Sequence, residues 1–113
     1  MDKITKYQNL IIQLLEEYAS VKPANLEEHE YQVIADTKRN HYELVSMGRH
    51  KNAFFHNTVF HLDIKDTGKI WLQVNNTDWD ITEALIENGI TKQEIVLGTL
   101  SPNLRKFSGY AVA

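Results

Sequence analysis

A chain of 113 residues with 42% hydrophobic content has enough apolar material for one core and too much for wholesale disorder. Its net charge of −3 and pI of about 5.9 give no overall basic footprint for nucleic acid, and the absence of cysteine removes disulfides, thiol catalysis and thiolate metal sites together. The chain is expected in the cytoplasm, without a secretory leader and without an apolar run near the ~20 residues of a membrane helix.

Taken from the N-terminus, Ile4, Tyr7, Ile11, Leu14, Leu15 and Tyr18 recur at three- and four-residue steps, which predicts an amphipathic helix over about residues 3–20. Asp2 is placed to cap it and Pro23 to close it. Lys22 to Glu30 reads as a linker. Tyr31 to Asp36 is a strand with Tyr31, Val33 and Ala35 on one face, and Thr37 to Asn40 is the turn after it. His41 to Met47 is a second strand with apolar residues on both faces, which predicts cover on both sides. Gly48 to Asn52 is the next turn. Phe54 to Ile64 is long for one strand, with Phe54, Phe60, Leu62 and Ile64 in phase and a bulge or bend expected near His56-Asn57. The segment His61 to Gln73 carries the strongest local signal. Leu62 and Ile64, then Ile70 and Leu72, alternate with polar neighbours around a three-residue Asp66-Thr67-Gly68 connector whose glycine can take a positive φ.

Asn75 to Asp78 breaks the ladder. Asp80, with Glu83 three residues later, predicts a helix through Asn88 that turns inward Ile81, Ala84 and Leu85 and ends at Gly89. Thr91-x-x-Glu94 predicts a short helical turn, Ile95-Val96-Leu97 is β-prone, and Pro102 is expected to end regular structure. The apolar tail Phe107 to Ala113 is expected to dock on the core or on a partner. The fold class is therefore α+β: an N-terminal helix, an antiparallel β-meander of about four strands, then a helix, a short helical turn and a packed tail, all in one domain over 1–113.

Chemistry is harder to find. His61-x-Asp63, with His41 and Glu43 on a neighbouring strand, has the residue types of a divalent-metal site, but cross-strand hydrogen bonding explains them as well. The site is read as structural, with no metal or cofactor. Asp63-Ile64-Lys65 matches the Asp-x-Lys core of a metal-dependent nuclease strand, yet its lysine sits at the mouth of a tight turn. No serine stands in a Gly-x-Ser-x-Gly elbow, and the glycines are scattered singly, so no phosphate loop exists. Lys38-Arg39 and Arg49-Lys51 fall in successive turns, at opposite ends of the strands, which disfavours direct DNA binding. Trp71 faces away from Ile70 and Leu72, together with His61 and Gln73; it is either covered by another element or an interface anchor.

Several stretches together carry a family resemblance. They are Leu14-Leu15-x-x-Tyr18-Ala19, Asp36-Thr37-x-Arg39-Asn40-His41-Tyr42-x-Leu44, His61-x-Asp63-Ile64-Lys65, Gly68-Lys69-Ile70-Trp71-Leu72-Gln73-x-Asn75-x-Thr77, Ile95-Val96-Leu97-Gly98, Pro102, Arg105-Lys106 and the tail Phe107 to Ala113. The chain resembles, nearly end to end, the XisI-like family, named for the fdxN element excision controlling factor. It departs from that family at Gly48-Arg49, where Gly-Trp is common, at the inserted Thr67, and around Leu100-Ser101, where a histidine often stands. The resemblance implies a non-enzymatic accessory factor of programmed DNA-element excision that works beside a recombinase by binding a nuclease-like XisH-type protein, in an antitoxin-like manner as one form. It places the partner surface at Trp71, with Arg39, His41, His61, Gln73 and Arg105, and leaves self-association open. The alternative is a nuclease or other nucleic-acid-processing enzyme using Asp63 and Lys65.

Overall fold

The computed structural model describes residues 2–23 and 28–113. Its elements are α1 (Lys3–Ala19), β1 (Glu28–Asp36), β2 (His41–His50), β3 (Ala53–Ile64), β4 (Ile70–Asn75), α2 (Ile81–Glu87), β5 (Ile95–Leu97) and α3 (Pro102–Arg105), with a 3₁₀ turn at Lys92–Glu94. The five strands lie side by side in chain order; the first four are antiparallel and β5 runs parallel to β4. The α+β class stands, and β5 turns the expected meander into a mixed sheet. Three β-branched or apolar residues were too short a run to reveal a partner, and parallel pairing needs the crossover that α2 supplies. The linker read at Lys22 to Glu30 lies partly outside the described residues; β1 already begins at Glu28.

Helix α1 forms where the stripe predicts. Asp2 accepts a hydrogen bond from the Thr5 amide at 2.7 Å, and the helix buries Tyr7, Leu10, Ile11, Leu14 and Leu15. These side chains meet Tyr42, Leu44, Phe60, Leu62, Ile64, Ile70, Leu72 and Ile95 from the sheet, and Ile81, Leu85 and Ile90 from α2 and its exit. Helices α1 and α2 thus share one face, and the other, outer face of the sheet carries only the short α3 and its flanking segment beside Trp71.

Two bulges set which side chains reach that outer face. Leu44 pairs with Phe60 but Val45 pairs with Thr58, so Val59 is the extra residue. The irregularity therefore sits at Val59 and not at His56-Asn57. Its effect is to invert the alternation: Phe60, Leu62 and Ile64 are buried under the helices, while Phe54 is 58% exposed with the Arg49 guanidinium 5.7 Å from its ring. Period-two counting places Phe54 with the core, and the extra residue turns it out. The second slip leaves Gln73 unpaired between Val74, opposite His61, and Leu72, opposite Leu62.

The turns are tighter than the polar runs imply. His50 pairs with Ala53, so the β2–β3 connection is only Lys51-Asn52, both at positive φ (51° and 67°), a primed hairpin turn whose twist lets the strands zip to their ends. The expected turn over Gly48 to Asn52 is thereby shortened, and β2 runs on past Met47. The Asp66-Thr67-Gly68 connector forms as expected: Lys65 N–H donates to Lys69 O at 3.1 Å, and Gly68 takes φ 84°.

Asp80 caps α2 by accepting from the Thr82 and Glu83 amides. Asp80→Ala should lower unfolding free energy by about 1–2 kcal/mol, with Asp80→Asn keeping most of it; urea denaturation midpoints check this, and equal losses in both would remove the cap argument. The Thr91-x-x-Glu94 box does not close. Its turn is present, but Thr91 makes no side-chain cap and Glu94 instead pairs with Lys3 at 2.8 Å. Pro102, expected to end regular structure, starts α3, where a first-turn proline has no hydrogen bond to lose. The tail docks in part: Ala111 is buried and bridges Val96, and its amide donates to Ile95 O at 2.9 Å. Phe107 and Val112 point outward, at 78% and 55% exposure. Among the described residues no helix is long and apolar enough to cross a membrane.

Candidate functional site on the outer sheet face

Pairing register builds the site. His41, Asp63 and Trp71 stand opposite one another on β2, β3 and β4, and Glu43 stands opposite His61 one step along. Since Tyr42 and Leu62 face the helices, these residues all fall on the outer face. The Gln73 bulge adds a further side chain to the same row.

Asp63 is the hub. His41 Nδ1 lies 2.7 Å and His61 Nε2 2.8 Å from its Oδ1, and Gln73 Nε2 donates to its Oδ2 at 3.2 Å. The other nitrogen of His61, Nδ1, lies 3.4 Å from Glu43 Oε1. Burial pushes the Asp63 carboxyl up, but the hydrogen bonds from His41, His61 and Gln73 outweigh it and hold the group below the usual carboxylate value. The side chain is only 13% exposed, against 29% for His61 and 56% for His41. The cluster is therefore a carboxylate set into the sheet under imidazoles that reach solvent.

Beside it, Trp71 lies among cations. Lys65 Nζ is 4.0 Å and the Arg105 guanidinium carbon 4.8 Å from the indole centre. Arg105 is held there by its Nε donating to Leu100 O at 3.0 Å, so α3 and the segment before it reach over the outer face. The indole N–H is buried and has no hydrogen-bond partner among the described residues.

His41, His61, Gln73, Trp71 and Arg105 thus come together. Arg39 does not join them: it sits in the β1–β2 turn, paired with Asp36 at 3.2 Å, and Asp36 also accepts from the Lys38 and Arg39 amides. Hydrogen bonds from Arg39, offset in part by desolvation, hold Asp36 below the usual carboxylate value. Lys65 belongs to the surface, although its sequence reading concerned the nuclease motif alone. The signal was present: a three-residue turn pairing Lys65 with Lys69 places Lys65 diagonal to Trp71 on one face. That stacking also draws the Lys65 ammonium toward the indole, where a nuclease would need it to steady a water beside a metal at Asp63.

Compared with known proteins, residues 1–112 match the family model described as XisI protein. Two solved structures share the fold over almost the whole chain. A XisI-like protein from Anabaena variabilis ATCC 29413 is 42% identical, with a TM-score of 0.88 over 97% of this chain and 99% of that one. The fdxN element excision controlling factor XisI from the same organism is 25% identical, with a TM-score of 0.83 over 99% of this chain and 100% of that one. No curated protein matches the chain.

Proposed function

The chain belongs to the XisI family, and from that premise we propose that it is a non-enzymatic control factor of DNA-element excision that acts by binding a partner protein of the XisH type. A structural relative is itself described as an fdxN element excision controlling factor. The observation that carries the binding half of the reading is Trp71: a half-buried indole on the outer face, flanked by Lys65 and Arg105. Tryptophan and arginine anchor protein interfaces far more often than their surface abundance would give, because each contributes a large, partly ordered contact area. The flanking cations fit a partner surface that offers carboxylates. If that partner is a nuclease, occupying its site from this face would hold it inactive, which is the antitoxin-like form of the same proposal.

The nuclease alternative on Asp63 and Lys65 has less support, since the ammonium that would steady the attacking water is stacked on Trp71.

Co-expression with a XisH-type protein and co-purification tests the reading. Wild type and Phe54→Ala should give a stable complex, and Trp71→Ala should weaken it by about tenfold or more while remaining folded. Absence of a complex, with DNA cleavage by the isolated chain in Mg²⁺ or Mn²⁺ that is lost in Asp63→Ala, would overturn it in favour of the enzyme.

A further inference from the structure

We infer that His41, His61 and Asp63 form a three-ligand site for one borderline divalent transition ion of the Zn²⁺ or Co²⁺ type. Their ligand atoms, one from each residue, all lie within 4.8 Å of one another. Two donors bound to such an ion at about 2.1 Å sit roughly 3.0–3.4 Å apart for angles between square and tetrahedral. The imidazole nitrogens now stand 2.7 and 2.8 Å from Asp63 Oδ1. Opening both contacts by a few tenths of an ångström, through small movements of the His41 and His61 rings, brings each nitrogen into that range.

The hydrogen-bond partners of the cluster are those a ligand set needs for orientation. His61 lies between two carboxylates, Asp63 at Nε2 and Glu43 at Nδ1. A neutral imidazole has one N–H, so it satisfies only one of them and turns a lone pair on the other. Without an ion that N–H goes to Asp63 at 2.8 Å; with an ion between them, the tautomer that turns Nδ1–H to Glu43, 3.4 Å away, frees the Nε2 lone pair to bind it. This is the carboxylate–histidine–metal arrangement that fixes tautomer and ring orientation. Gln73 does the same for Asp63: its amide occupies Oδ2 and leaves Oδ1 for the ion. Each inward ligand therefore has an orienting neighbour, and the outward one, His41, leaves the ion open to solvent. Two imidazoles and a carboxylate suit zinc, cobalt or nickel better than magnesium or calcium, which prefer all-oxygen shells. A coordination position remains for water or for a donor from another molecule.

Titration of the chelator-treated protein with Co²⁺, read by its visible d–d absorption and by calorimetry, tests this. One ion should bind per chain, with intensity indicating low coordination number, and Zn²⁺ should displace it. His41→Gln, whose side chain is too exposed to hold up the fold, should reduce affinity at least tenfold, and Asp63→Asn should abolish binding. Glu43→Gln and Gln73→Ala should reduce affinity about 10–100-fold with the spectrum retained. His50→Gln and His56→Gln should change nothing. Binding that is absent, weaker than millimolar, or indifferent to His41→Gln and Asp63→Asn would overturn the assignment, and the partner proposal would be untouched.

Discussion

Phe60→Ala is expected to lower the unfolding free energy by about 3–5 kcal/mol, while Phe54→Ala on the same strand should change it by less than about 0.5 kcal/mol. Phe60 is fully buried and its ring meets Tyr18 edge-on at 5.1 Å and Trp79 at 5.9 Å, with Tyr18 and Trp79 themselves stacked at 5.7 Å. Truncation removes transfer energy, opens a cavity beneath α1 and breaks two aromatic contacts, each of about 0.5–1.5 kcal/mol beyond its buried area. A domain of this size has roughly 5–15 kcal/mol in total. The loss should therefore appear as a fall of about 15–30 °C in Tm. Phe54 touches Arg49 and solvent. Thermal and urea denaturation of the two variants side by side checks the argument. Comparable losses would mean that Val59 is not the extra residue and that the strand keeps one phase throughout.

The second large effect concerns Asp63. In protein freed of metal by chelator, Asp63→Asn should cost about 2 kcal/mol at pH 7, because the amide cannot accept from His41, His61 and Gln73 together and its own NH₂ opposes one of them. The pH dependence has a definite sign. The folded carboxyl lies below its unfolded value, so its contribution is present above the unfolded value of about 3.9 and is lost as pH falls through the lower folded one. The gap between wild type and Asp63→Asn should thus persist from pH 7 to about pH 4 and close in stronger acid. Denaturant midpoints across pH 7 to 2 would show it. A gap that stays constant or widens below pH 4 would mean that the carboxylate is not what those neighbours stabilise.

These two residues also show how far the sequence could be read. The α1 stripe, the Asp66-Thr67-Gly68 turn and the Asp80 cap were legible because each is decided by local geometry: a helical period, a positive-φ glycine, an oxygen within reach of free amides. Grouping His41, His61, Asp63 and Gln73 on the Trp71 face was legible for a similar reason, since alternation and a known turn length fix the register nearest the hairpin. Bulges were not. An extra residue at Val59 or Gln73 costs little locally and is chosen by how the whole strand packs, so counting by two failed at Phe54. The β4–β5 pairing and the start of α3 were hidden too, because short elements are held by tertiary contacts more than by their own propensity. Arg105 over Trp71 joins residues far apart in the chain, and no local pattern announces it.

The docking of Ala111 beside Val96 has a bearing on how the chain is made. Because the sheet follows chain order, α1 and the first four strands can assemble through short loop closures as they leave the ribosome. Until residues 76–113 follow, the outer edge of β4 presents unpaired amides and carbonyls, the template on which nascent chains stick together. β5 covers that edge and the bridge at Ala111 then shields β5. Once formed, β5 and the Ala111 bridge thus guard the growing chain against self-aggregation at the β4 edge.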